Sequence, residues 1–234
     1  MDRAPPPSAP PPSAPPQPAA AAAPPVLLTR HGLSEHNLQT QLYMGRSPAS
    51  RLVAEGRAQA RALGAHLARR EAVQRIVASS LPRALETATL VAAELGGVPV
   101  HADDAFWELS KGDWEGRMPR DGVPEPERSA WELHPFGFRF PQGESFALVA
   151  ARVAPAFAEW VGCYGRERLL FVLHGDVVCA LLQHLLGTPP DQVRCYLVPP
   201  CSLTEVARAN GAWRLARFGE DGFLRGEEGG AAPR

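Results

Sequence analysis

Three short segments of this sequence carry residues suited to handling a phosphoryl group. Arg30-His31-Gly32 follows the apolar run Val26-Leu27-Leu28-Thr29, Arg83 closes Ser79-Ser80-Leu81-Pro82-Arg83, and His174-Gly175 follows Leu169-Leu170-Phe171-Val172-Leu173. An arginine side chain is a rigid fork of donors that matches phosphate oxygens. Helix N-termini add free N–H groups and partial positive charge. Two histidines beside a dianion held in this way divide the work, one as nucleophile and the other as donor to the equatorial oxygens. Taken singly each signal is weak, since a lone strand-end histidine is more often structural. Their convergence depends on the elements that carry them.

Those elements read as alternating strands and helices. Strands are expected at about 26–29, 75–78, 98–100, 169–173, 202–208 and 213–218, the last two flanking the hairpin signal Asn210-Gly211. Helices are expected at about 52–70, where Ala60, Leu63 and Leu67 share a face, and at 85–95, stopped by Gly96-Gly97. Two more follow, at 146–160 and 177–186, the second apolar nearly all round. The continuous apolar run Leu169–Leu173 suits a central parallel strand covered on both faces. The pattern predicts an α/β fold, a three-layer α/β/α sandwich with a mostly parallel central sheet. In such sheets the ligand crevice lies beyond the carboxyl ends of the strands, where all three segments fall.

Composition narrows the function classes. Of 25 prolines in 234 residues, eleven fall in residues 1–25, which are otherwise nearly all alanine and serine. That stretch predicts an extended, disordered N-terminal arm, followed by one globular domain over 26–220 and a flexible C-terminal tail over 221–234. A net charge of −1 without a basic stretch argues against nucleic acid as a partner, and the longest apolar runs are too short to span a bilayer. Cys163, Cys179, Cys195 and Cys201 form no C-x-x-C pair and no zinc spacing. A reducing, cytoplasmic compartment is expected, with no metal and no cofactor.

The motifs resemble those of the histidine phosphatase superfamily, which includes the cofactor-dependent phosphoglycerate mutases. Thr29-Arg30-His31-Gly32 with Ser34 and Asn37 resembles its R-H-G-x-x-x-x-N signature. The likeness continues through Glu55-Gly56-Arg57, Ser79 to Ala88, Glu108 to Gly116, Gly143-Glu144-Ser145, Val172 to Gly175 and Cys201 to Thr204, in family order. The resemblance implies a phosphoglycerate mutase-like fold. It implies His31 as the nucleophile that becomes phosphorylated, with Arg30, Arg83 and His174 holding the phosphoryl oxygens and Asn37 adding a polar contact. Asp103, Asp104, Glu108, Asp113 and Glu115 are all nearby carboxylates. The resemblance selects Glu108 as proton donor to the leaving oxygen and then as base for water, and Phe106-Trp107 before it would raise its pKa by desolvation. Ser34 and Gln59 suit a helix cap and a packing role.

Two stretches depart from the family pattern. Gly45-Arg46-Ser47-Pro48-Ala49-Ser50-Arg51 lacks the D-x-P-L-T segment of many relatives, and Arg46 and Arg51 would make a pocket-side loop more basic. The insertion over about 117–140 sets Trp131, Phe136, Phe138 and Phe140 among Arg117, Arg120, Arg128 and Arg139. It reads either as a lid or as aromatics packing the insertion onto the domain. It lacks the longer insertion and the arginine-pair motif of the mutase branch. The expected activity is therefore metal-independent hydrolysis of a small phosphorylated metabolite through a phosphohistidine. Mutase-type isomerisation and a non-catalytic binding role are the alternatives. Relatives often pair as homodimers, which is the expectation for assembly.

Overall fold

The computed structural model describes residues 23–39, 42–118 and 124–225. The expected arm, apart from residues 23–25, together with Arg120 and residues 226–234, lies outside the described residues. Six strands form one sheet in the order β3-β2-β4-β1-β5-β6: β1 Val26–Arg30, β2 Val73–Ser79, β3 Val100–Asp103, β4 Arg168–Leu173, β5 Leu203–Ala209 and β6 Ala212–Glu220. The first four strands run parallel, β5 returns antiparallel to β1, and β6 pairs antiparallel with β5. Asn210 and Gly211, at φ 53° and 80°, make the tight turn between these last two.

Alternation along the central strands divides the core. Leu27, Ile76, Ala78, Leu170 and Val172 face a layer built from α2 (Ala54–Arg70) and α3 (Pro82–Glu94). Leu28, Val77, Leu169, Phe171 and Leu173 face α5 (Phe146–Tyr164) and α6 (Gly175–Leu186). The result is the expected three-layer sandwich. Pro82 opens α3, and Gly96 and Gly97, at φ 80° and 88°, follow its end. β3 starts two residues later than predicted because Pro99 has no N–H for the ladder; only its carbonyl joins, accepting from Ile76 N at 2.9 Å.

α5 corrects one expectation. Its 19 residues, with a mean hydropathy of 1.4, are long and apolar enough to cross a bilayer. Here its apolar face, Phe146, Val149, Val153, Phe157 and Trp160, is buried against the sheet and α6. The tail expected to be flexible from residue 221 instead begins with a 3-10 turn, Gly222–Arg225, whose Phe223 stacks on His66 at 4.4 Å. Within the insertion a short helix, α4 (Glu125–Leu133), precedes an aromatic cluster. Phe138 and Phe140 pack on each other and on Trp114, and Trp131 packs on both phenylalanines and stacks on Phe146. Trp131 and Phe140 are buried on the domain, and Phe136 and Phe138 are half-buried against it.

Candidate active site

A cleft of about 520 Å³ opens at the carboxyl ends of β1, β2 and β4. Arg30, His31, Asn37, Arg83 and Glu108 line it, and His174 is buried beneath, its ring centroid 5.1 Å from that of His31 and edge-on to it. All six residues selected from sequence thus converge on one place.

His31 leaves β1 with its N–H bonded to Leu173 O at 2.9 Å. Its Nδ1 lies 2.7 Å from the carbonyl oxygen of Gly32, which fixes Nδ1 as the donor and leaves the lone pair on Nε2. Arg83 Nε donates toward that atom at 3.2 Å. Burial first, then Arg83 and Arg30, hold the His31 pKa well below the usual histidine value, so the ring is neutral. The turn is held close: Gly32 N donates to Thr87 Oγ1 and Leu33 N to Gln59 Oε1. A Cβ on Gly56 would stand 1.9 Å from Leu33 O, so only glycine lets α2 approach here.

Arg83 sits in the first turn of α3 and is 2% exposed. Its two Nη atoms donate to Gly45 O at 3.0 Å and Ser47 O at 3.3 Å, which locks the fork beside His31. Arg30 Nη1 donates to Val198 O, while its Nε is buried and has no partner among the described residues. His174, the N-cap of α6, pairs Nε2 with Ser79 Oγ at 2.8 Å, and its Nδ1 is likewise buried and unpartnered among the described residues. Burial and then Arg83 hold its pKa well below the usual value. If the Ser79 hydroxyl donates to Nε2, the proton sits on Nδ1. With that proton in place, Arg30 Nε and His174 Nδ1 are, among the described residues, two buried N–H groups without acceptors, each costing about 1–3 kcal/mol when unsatisfied, and they mark a site for an anion.

Glu108 lies on the loop after β3, with Oε1 accepting from Leu109 N at 2.8 Å. Burial, reinforced by the Asp176 carboxylate and opposed by Lys111 and Arg83, raises its pKa to about 7. Asp176, in the first turn of α6, pairs with Lys111 at 2.8 Å. Arg46 Nε and Arg152 Nη2 donate to the Glu108 carbonyl at 2.9 and 3.3 Å, and both guanidiniums bind Glu144.

This network revises the reading of the departing loop. Met44 and Gly45 do line the cleft, but Arg46 turns to Glu144 and Arg51 donates to Pro48 O on the surface. Arg46 braces the loop that carries Glu108 and adds no charge to the pocket. The Asn37 carboxamide oxygen accepts from Ser34 N and Ser34 Oγ, both at 2.9 Å, which closes the first turn of α1 (Glu35–Leu38). Sequence reasoning missed His36, Lys111, Asp176 and Arg194, which also line the cleft. Asp176 follows His174-Gly175 at the start of a strand-end helix, a place that signals a site; nothing in the sequence marked Arg194.

The comparisons with known proteins agree with this geometry. The family model "Histidine phosphatase superfamily (branch 1)" matches residues 26–221. The chain is 33% identical over 192 residues to a protein of Yersinia enterocolitica named probable phosphoglycerate mutase GpmB, covering 80% of this chain and 86% of that one. It is 34% identical over 183 residues to a glucosyl-3-phosphoglycerate phosphatase of Mycolicibacterium vanbaalenii, covering 71% and 76%. The crystal structure of the alpha-ribazole phosphatase from Shigella flexneri superposes with a TM-score of 0.74 at 28% identity, covering 84% and 96%. With a family model matching residues 26–221 and the residues of its signature gathered in one cleft, the chain belongs to the histidine phosphatase superfamily.

Proposed function

We propose that this protein hydrolyses phosphate monoesters of small metabolites through a phosphohistidine on His31. The observation that carries the reading is the neutral imidazole, its Nε2 lone pair directed at Arg83 with the unpartnered donors of Arg30 and His174 beside it. A phosphoryl group bonded to Nε2 would meet Arg83 at that atom, with Arg30 and His174 as the further donors of the same site. Nε2 attacks phosphorus, the P–O bond to the leaving group breaks, and the departing oxygen takes the proton of Glu108. Water then attacks phosphorus, Glu108 takes its proton, the P–N bond breaks and inorganic phosphate leaves. The loose transition state carries its charge on the equatorial oxygens, where positioned donors stabilise it. A carboxyl with a pKa of about 7 suits both proton transfers near neutral pH.

The names of the phosphatase relatives support a small phosphorylated metabolite as substrate. The mutase reading draws on the name of the Yersinia relative. Hydrolysis is favoured because the insertion's aromatics are packed on the domain, with only Trp131 among them reaching the cleft. A phosphohistidine that must be returned to a second hydroxyl needs more cover from water. Among the described residues, the unbridged thiols of Cys179, Cys195 and Cys201, with Cys195 exposed, accord with a cytoplasmic location. The test is the product of steady turnover. Release of inorganic phosphate from phosphoglycerates and sugar phosphates, lost by at least about 10³-fold in His31→Ala, supports hydrolysis. Interconversion of phosphoglycerates far faster than phosphate release would replace it with the mutase reading.

A further inference from the structure

The cleft holds one cation that neither the phosphoryl group nor a neighbouring carboxylate accounts for. Arg30 and Arg83 flank the nucleophile, and Lys111 is paired with Asp176 at 2.8 Å. Arg194, from the 3-10 segment Pro190–Cys195 after α6, also lines the cleft, and among the described residues no carboxylate lies within 4 Å of its guanidinium. Its guanidinium instead stands 5.0 Å from the ring centroid of Trp131, which is 6% exposed and held by Phe140 and Phe146. Tyr43 and Tyr196 complete this outer wall. A guanidinium laid on an indole face keeps its edge free to bind an anion in two-point fashion. The charge balance agrees: four cations line the cleft against the carboxyls of Glu108 and Asp176, and Glu108 must hold a proton to act as the acid.

We infer that Arg194, backed by Trp131, recognises a second anionic group, a carboxylate or a second phosphate, on the leaving group of the substrate. The enzyme is then selective for phosphomonoesters that carry a second anionic group over phosphomonoesters of neutral alcohols. This inference rests on the phosphatase reading and narrows its substrate class.

Two matched pairs test it: 3-phosphoglycerate against glycerol 3-phosphate, which exchange a carboxylate for a hydroxymethyl group, and fructose 1,6-bisphosphate against fructose 6-phosphate. The readout is the ratio of kcat/KM for the more charged to the less charged ester. A charge-assisted bidentate contact predicts a ratio of about 10 to 100 in at least one pair, and which pair shows it separates carboxylate from phosphate. Arg194→Met, which keeps a chain able to lie on Trp131, should lower that ratio at least about tenfold, and Arg194→Lys should restore part of it. A ratio near one in both pairs, or a ratio unchanged in Arg194→Met, overturns the subsite while hydrolysis of the neutral esters leaves the phosphatase reading standing. Failure to release phosphate from any of the four esters or from p-nitrophenyl phosphate removes the phosphatase reading itself.

Discussion

Glu108→Gln keeps the shape of the side chain and takes away its exchangeable proton, so its effect scales with how much the departing oxygen needs one. With a pKa of about 7, the wild-type carboxyl is about 99% protonated at pH 5 and about 9% at pH 8. An alkyl ester such as glycerol 3-phosphate leaves as a strongly basic alkoxide and depends on that proton; p-nitrophenolate is a stable anion and does not. Both esters also titrate at the phosphate, the alkyl ester at a higher pH than the aryl ester, so each kcat/KM is expressed per phosphate dianion before the ratio is taken. For the wild type, the alkyl-to-aryl ratio should fall about tenfold between pH 5 and pH 8, following the loss of the acid form. In Glu108→Gln, kcat/KM for the alkyl ester should drop by about 10²–10⁴, worth about 3–5 kcal/mol of barrier, while the aryl ester loses much less. The variant's ratio should be flat with pH. Initial rates of phosphate release across pH 5 to 9 supply every term. If both esters fall equally in the variant, and the wild-type ratio does not change with pH, Glu108 is not the proton donor.

The same carboxyl makes a stability prediction of opposite sign. Its folded pKa, about 7, lies above the unfolded value of 4.5, so the folded state favours the proton; this contribution is complete below pH 4.5 and is lost as pH rises through 7. Glu108→Gln removes the penalty, about 3 kcal/mol, so denaturant unfolding should find the variant more stable than wild type at pH 8.5 and about equal at pH 4.5. Ser79→Ala deletes the hydroxyl paired with His174 Nε2, freeing the ring's tautomer; kcat should fall about tenfold, and the lost buried partner should cost about 1–3 kcal/mol in denaturant unfolding. Gly56→Ala sets a Cβ 1.9 Å from Leu33 O and should cost about 3 kcal/mol or more, read as a lowered thermal midpoint.

Legibility followed the physics of each residue. Strands and helices showed in the sequence because burial on two faces of a sheet imposes apolar runs and helical spacing, as at Leu169–Leu173 and Ala60, Leu63, Leu67. His31, Arg83 and His174 showed because they stand at strand ends. Arg46 was misjudged because charge in a loop says nothing of its direction, and its partner Glu144 is 98 positions away in the chain. The compensation of Lys111 by Asp176, and the free edge of Arg194 on Trp131, likewise join residues far apart in sequence, and only the fold brings them together. The aromatic insertion was ambiguous because an exposed lid and a packed cluster share one composition.

The phosphohistidine is the centre of this account, and rapid quench of the enzyme with a radiolabelled phosphate ester tests it most directly. The label should appear on the protein stoichiometrically with active sites, be lost in acid and kept in alkali, map to His31, and vanish in His31→Ala. In Glu108→Gln with p-nitrophenyl phosphate it should persist longer, because attack by water has lost its base. Label that survives acid, or that remains in His31→Ala, would contradict the assignment.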